Sequence, residues 1–100
     1  MPNWLRIRNE AALLNTEFGV SYNAPSGIRS IPLASIDLQR SESFRCSDVG
    51  IPEGVSCWVY QNTDAGHYES GSNFNCNYSD SQTAAYNFGQ SGFSLEIQPN

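Results

Sequence analysis

The residues best suited to covalent or metal chemistry in this chain are three cysteines, Cys46, Cys57 and Cys76, and the single histidine, His67. A reactive thiolate needs a base within hydrogen-bond reach, and nothing in the sequence places His67 against a cysteine. The cysteine spacings of eleven and nineteen residues lack the short CxxC knuckle of structural zinc sites. The sequence therefore predicts neither a cysteine nucleophile nor a bound metal or other cofactor.

Two of the cysteines lie in one stretch, FRCSDVGIPEGVSCWVY, at positions 44–60. If residues 44–46 and 57–59 pair as an antiparallel hairpin, Cys46 faces Cys57, and a disulfide between them would stabilise the fold by about 3 kcal/mol. Such a bridge implies an oxidising compartment. The alternative is three buried free thiols that pack as small hydrophobic side chains, and the odd number of cysteines leaves both open.

Hydrolytic and calcium-binding residues are harder to find. The chain has fourteen serines but no GxSxG elbow, so we predict no catalytic residue, and a small hydrolase would have to be centred on His67. Carboxylates in predicted loops could ligate calcium, although no EF-hand loop is present. These carboxylates are Asp48, Glu53, Asp64, Glu69 and Asp80.

Aromatic residues are the stronger signal for binding, because an amphipathic ring can pack on a sugar face or a lipid headgroup. Alternation places Trp58 and Tyr60 on the face of their strand opposite Cys57 and Val59. A sandwich sheet buries only one face against its partner, which would leave these rings exposed to a ligand; the simpler expectation is that both faces of a central strand are covered. The predicted ligand-binding residues are Trp58, Tyr60, Trp4 and Tyr68.

Composition and charge exclude several functions. The chain has ten carboxylates, five arginines and no lysine, for a net charge of −5, so it lacks the basic patch that nucleic-acid binding requires. No apolar run is long enough for a transmembrane helix. The N-terminal MPNWLRIRNE does not resemble a signal peptide, yet the Ser- and Asn-rich composition is common in secreted β proteins, and we expect an extracellular protein.

Hydrophobic periodicity indicates an all-β fold. Apolar residues alternate with polar ones in WLRIR, FGVSY, TAAYNFG and GFSLEIQ, and turn signals such as NAPSG and QNTDAG separate the runs. We predict a single domain over residues 1–100, an antiparallel β-sandwich of about seven short strands. EAALLNTEF, at residues 10–18, could instead form a helical turn or two.

The order of features resembles a known family. NWLRIRN, APSGI and FRCSDVGIPEGVSCWVY together are similar to the aegerolysins and related small β-sandwich toxins, over residues 3–60. The family's Trp-Asp-Cys-Pro-Trp segment is absent, and FNCNYSDSQ at 74–82 stands in its place. The resemblance implies a β-sandwich that binds a specific membrane lipid, but no lipid-binding residue of the family maps onto this chain.

A second stretch, CWVYQNTDAGHYESGS, resembles the βγ-crystallin-like domains, with a tyrosine-to-glycine spacing one residue short. That resemblance implies calcium binding or protease inhibition. Together these observations predict a non-catalytic, secreted or defence-type protein that binds a membrane lipid, a glycan or a protein partner. An inhibitor or calcium-binding protein and a small hydrolase at His67 are the alternatives.

Overall fold

The computed structural model describes residues 1–11, 16–63 and 66–99. In these ranges the chain forms nine strands and one short helix. They are β1 (Trp4–Asn9), β2 (Glu17–Ala24), β3 (Gly27–Ser35), β4 (Ser41–Arg45), α1 (Cys46–Val49), β5 (Ser56–Thr63), β6 (Gly66–Glu69), β7 (Phe74–Asn75), β8 (Thr83–Gly89) and β9 (Gly92–Gln98).

The strands form two sheets that pack face to face, which confirms the predicted β-sandwich. One sheet has the order β4-β1-β8-β9, and the other has the order β3-β2-β5-β6 with the short β7 also paired to β5. Burial alternates along β1 and β8, as expected of strands with one face on the core and one outside. Strands β2 and β5 bury several consecutive residues, because part of their outer face is covered too.

The structure differs from the prediction of a purely antiparallel fold in one strand pair. β1 runs parallel to β8, from Trp4 beside Thr83 to Asn9 beside Phe88. A parallel neighbour needs a long crossover, and here the crossover runs from β2 to β7 and contains the whole five-stranded sheet, β4 and the short α1 rather than one long helix. Nine strands replace the predicted seven because β6 and β7 share one edge of β5 as separate short segments.

The predicted pairing of residues 44–46 with 57–59 is wrong. β4 pairs with β1, with Phe44 beside Leu5, and β5 pairs with β2. Cys46 opens α1, a single turn that ends at Gly50 in the left-handed conformation. That turn redirects the chain from one sheet to the other, so Cys46 and Cys57 lie on different layers.

The predicted turn at NAPSG joins β2 to β3, and Gly27 supplies its positive φ of 122°. Pro32 lies in β3, the edge strand of its sheet, as the sequence indicated. The possible helix at residues 10–18 falls largely on residues 12–15, outside the described part of the chain, while Glu17 and Phe18 belong to β2.

The core lies between the sheets and consists mainly of inward-facing aliphatic and aromatic side chains, such as Ile7, Val20 and Tyr86. A buried asparagine, Asn9, joins the elements around it: its Nδ2 donates to the Ile36 carbonyl, and its Oδ1 accepts from the Ala11 amide. In the described residues no helix has the length or apolar character to cross a membrane.

Candidate ligand-binding face

A group of aromatic and polar side chains lies on the outer surface of the five-stranded sheet. Alternation along β5 directs Cys57, Val59 and Gln61 into the core, and Trp58, Tyr60 and Asn62 outward. The register sets Tyr60 beside Glu69 and Asn62 beside His67 on β6. We call this surface the β5–β6 face; it consists of Trp58, Tyr60, Asn62, His67 and Glu69.

Tyr60 is covered on both sides of its ring. The ring lies across β2 at Gly19, where any Cβ would overlap it and would also sit 2.5 Å from the carbonyl oxygen of Ile31. The His67 ring packs over Tyr60, with centroids 5.6 Å apart and planes tilted by 31°. Tyr60 is therefore only 5% exposed, which matches the expectation that both faces of this central strand are covered.

The environment of Tyr60 also favours its neutral form. Burial raises the pKa of the phenol, and the negative charge of Glu17 on the neighbouring strand raises it further. Tyr60 is thus a supporting residue at neutral pH: its ring holds His67 above the sheet, and its hydroxyl stays protonated.

Trp58 remains partly exposed, and its orientation is fixed by a hydrogen bond in which Nε1 donates to Glu69 Oε1 over 3.0 Å. The second carboxylate oxygen of Glu69 lies 3.7 Å from His67 Nε2. On the other side of the imidazole, Nδ1 donates to Oδ1 of Asn62. Ring and polar groups are therefore held in one network, with the His67 and Glu69 side chains about half exposed.

This arrangement can bind a ligand. The recorded partners of His67 are an amide and a carboxylate, and an activated nucleophile would need a hydroxyl or thiol in their place. An indole beside a carboxylate and an imidazole offers an apolar surface flanked by hydrogen-bonding groups. Such a surface can hold a ligand that has both an apolar face and hydroxyl groups.

The other two predicted ligand-binding aromatics lie elsewhere. Trp4 is on the outer face of the four-stranded sheet, with the Arg45 guanidinium carbon 4.6 Å from its ring centroid. Tyr68 is on β6 beside Gln61, directed toward the sandwich interior at its rim, where it packs against Phe88. The four predicted residues therefore do not form one surface.

The three cysteines are free thiols in the structure, buried in the core, so the predicted Cys46–Cys57 bridge is not formed. The thiols nevertheless lie close together: Cys57 Sγ lies 3.8 Å from Cys76 Sγ, and Cys46 is near enough to Cys76 for the two thiols to affect each other's pKa. This is the alternative of three buried thiols, with Cys76 at the centre. We call it the thiol cluster.

The thiol cluster disfavours thiolates. The hydrogen bond with Cys76 raises the pKa of Cys46 far above its ordinary value, and burial adds to the shift. For Cys76, the hydrogen bond with Cys46 lowers the pKa, but the bond with Cys57 and burial outweigh it and raise the pKa to about 12. The thiols are thus protonated and poorly nucleophilic at neutral pH.

The carboxylates considered for calcium do not converge. Glu69 lies on β6 and Asp48 on α1 rather than in loops, while Asp64 is outside the described residues. Glu53 accepts from the Tyr78 amide, and Asp80 accepts from the Gln82 amide. Within the described ranges, no three His, Cys, Asp or Glu residues are arranged to hold a metal ion.

Sequence reasoning placed Trp58 and Tyr60 on one face but missed the residues that complete it. The strand register brings Glu69 and Asn62 into the network. Gly19 contributes differently: because it has no side chain, it leaves room for the Tyr60 ring. The alternation of HYE would have put His67 and Glu69 on one side of a strand; the adjacent turn signal favoured a loop instead.

Comparison with models of known families, with curated proteins and with solved structures finds no match for this chain. The structure itself defines a small β-sandwich with a polar and aromatic surface on its five-stranded sheet.

Proposed function

We propose that this protein is a non-catalytic binding protein that recognises a neutral glycan through the β5–β6 face. The observation that carries the proposal is the partly exposed Trp58 indole, held by Glu69 beside the half-exposed His67. The apolar face of a pyranose ring would pack on the indole, while its hydroxyls would bond to the carboxylate and the imidazole.

The charge and shape of the face favour a neutral sugar over a lipid. Glu17 and Glu69 give this surface negative charge, which would repel anionic headgroups and acidic sugars. Tyr60 is covered, so Trp58 is left as a single apolar ring rather than part of a broad apolar patch of the kind that inserts into a bilayer. The resemblance to aegerolysins keeps a zwitterionic lipid headgroup as the alternative ligand.

We also propose that the protein acts outside the cell. A chain rich in serine and asparagine, in which only 15% of the residues are charged, fits a protein that acts outside the cell, where polysaccharides are abundant. A thiol cluster sequestered in the core, away from oxidants, is compatible with that location.

The experiment is a pull-down on insoluble cellulose and chitin, with titration of soluble oligosaccharides of the better binder followed by tryptophan fluorescence. Trp58→Ala should weaken binding at least tenfold, equivalent to about 1.4 kcal/mol. Trp4→Ala, which removes the other indole on the opposite sheet, is the matched control and should bind as the wild type does.

Vesicles of phosphatidylcholine and of sphingomyelin form the second arm. If the protein sediments with vesicles and binds no polysaccharide, its ligand is a lipid headgroup rather than a glycan. Equal loss of binding in both tryptophan variants, or none in Trp58→Ala, would remove the β5–β6 face as the site.

A further inference from the structure

A cleft opens at the rim of the sandwich, between the two sheets and away from the β5–β6 face. It has a volume of about 450 Å³, which is within the range of small-molecule sites. Its walls are the rings of Tyr68 and Phe88, Ala11 and the turn between β8 and β9 at residues 89–92. Apolar surface therefore dominates the cleft, and two aromatic rings are available for stacking.

The residue beside Tyr68 in the strand register carries a buried amide with no partner. Gln61 is completely buried, and neither its Oε1 nor its Nε2 makes a hydrogen bond. A buried amide without partners is costly, because it has given up its hydrogen bonds to water and has gained none in the protein. An orphaned polar group of this kind in a native core needs an explanation, such as a ligand that completes it.

Strand register places the Gln61 amide next to the cleft. Gln61 stands between Phe18 on β2 and Tyr68 on β6, and the three side chains form one inward-facing row. The Phe88 ring from the other sheet contacts both ends of this row, with centroids 5.7 Å from Phe18 and 6.0 Å from Tyr68. Two of these rings, Tyr68 and Phe88, also line the cleft.

We propose that the cleft is a binding site for a small aromatic or heteroaromatic amide. The ligand ring would pack between Tyr68 and Phe88. Its amide would pair with Gln61, whose side chain presents one acceptor and one donor side by side and is best matched by a group with an adjacent N–H and C=O. Tyr68 is 52% exposed on a four-residue edge strand, so its ring can turn aside to admit the ligand.

The test uses three probes of similar size, benzamide, toluene and benzoate, with the shifts of the Tyr68 and Phe88 resonances followed by NMR. We expect benzamide to shift these resonances and to bind at least tenfold more tightly than toluene or benzoate. Equal affinities for benzamide and toluene in the wild-type protein, or no shift with benzamide, would overturn the proposal without recourse to any variant.

Two glutamine variants locate the polar contact. Gln61→Leu removes the orphaned amide at similar volume, so the variant should fold at least as stably as the wild type and should bind benzamide no better than toluene. Gln90→Leu removes the amide of the glutamine that lines the cleft and should keep the preference for benzamide. A preference that survives Gln61→Leu, or disappears only in Gln90→Leu, would show that Gln61 is not the partner.

The cleft is independent of the proposed glycan site. Trp58→Ala lies on the outer side of the sheet and should leave benzamide binding unchanged, so either proposal can fail while the other stands.

Discussion

The β5–β6 face depends directly on the small size of one residue, Gly19. The Tyr60 ring crosses β2 at this position, and a methyl group would collide with the ring on one side and with the Ile31 carbonyl on the other. Gly19 also follows the register shift between β2 and β3, so the backbone there is already irregular. A glycine in this strand thus serves close packing rather than a turn.

Gly19→Ala should lower the free energy of unfolding by about 1–3 kcal/mol, as overpacking of a filled site does. It should also displace the Tyr60 and His67 rings, visible in their NMR shifts. Urea unfolding measures the loss of stability, and Gly71→Ala is the control, because a Cβ there meets open space. A Gly19→Ala protein within 0.5 kcal/mol of the wild type would mean that the Tyr60 ring moves freely.

The outcome at Tyr60 shows where residue-level sequence reasoning stops. Its side of the strand follows from a period of two and was predicted correctly. Its exposure depends on His67 and Gly19, which reach it through pairing with β6 and β2. Those neighbours are decided by which strands meet, and alternation along one strand does not contain that information.

At the scale of elements, the thiol cluster ties α1, β5 and the segment after β7 together. Cys46 begins α1, Cys57 lies in β5, and Cys76 directly follows β7. The short α1 has no side-chain cap, and its own backbone contacts are few, so packing of Cys46 in the cluster helps to hold it.

The cluster predicts a loss of stability at alkaline pH. Because the folded state raises the pKa of Cys46 and Cys76 above the ordinary thiol value of about 8.5, it favours the protonated form. Their contribution is complete below about pH 8 and falls between pH 9 and pH 12, by about 1.4 kcal/mol per pH unit for each thiol.

Urea unfolding in reducing buffer at pH 7 and pH 10 should therefore differ by about 4 kcal/mol for the two thiols together. The Cys46→Ala, Cys76→Ala double variant should be less stable at pH 7 and should show a much smaller fall. An equal fall in the double variant would assign the alkaline instability to other groups, such as Tyr86, whose pKa is also raised by burial.

The positions of the strands were predicted better than the pairing between them. The strands at WLRIR, FGVSY, TAAYNFG and GFSLEIQ all form, because alternating apolar residues must bury one face. The hairpin predicted for residues 44–60 does not form, because β4 pairs with β1 and α1 lies between β4 and β5. Sequence proximity favours a hairpin, but all five residues of β4 pair with β1, whereas the predicted hairpin would have paired only residues 44–46.

For the whole molecule, the two outer faces differ in charge. Alternation along β1 and β4 puts Arg6, Arg8 and Arg45 on the outer face of the four-stranded sheet, where Glu96 on β9 and Glu10, which is paired with Arg8, offset part of their charge. The opposite face carries Glu17 and Glu69. One tryptophan reports on each: Trp4 lies beside a guanidinium, and Trp58 beside a carboxylate.

Ionic quenchers should therefore distinguish the two faces. In Trp58→Phe, where Trp4 is the only indole, iodide should quench fluorescence more strongly than caesium does. In Trp4→Phe, where Trp58 is the only indole, caesium should be the stronger quencher, because Glu69 attracts cations. Both differences should shrink as salt rises, since ionic strength screens surface charges. Similar iodide-to-caesium ratios in the two variants would contradict the assigned faces.

The parallel pairing of β1 with β8 also affects how the protein can fold during its synthesis on the ribosome. β1 is an inner strand of its sheet, yet its partner β8 begins at Thr83, so it emerges from the exit tunnel much later. The five-stranded sheet, whose strands are all translated earlier, can assemble first. Until synthesis reaches the last hairpin, one edge of β1 stays open, and that interval is when a nascent chain is most exposed to chaperones and to aggregation.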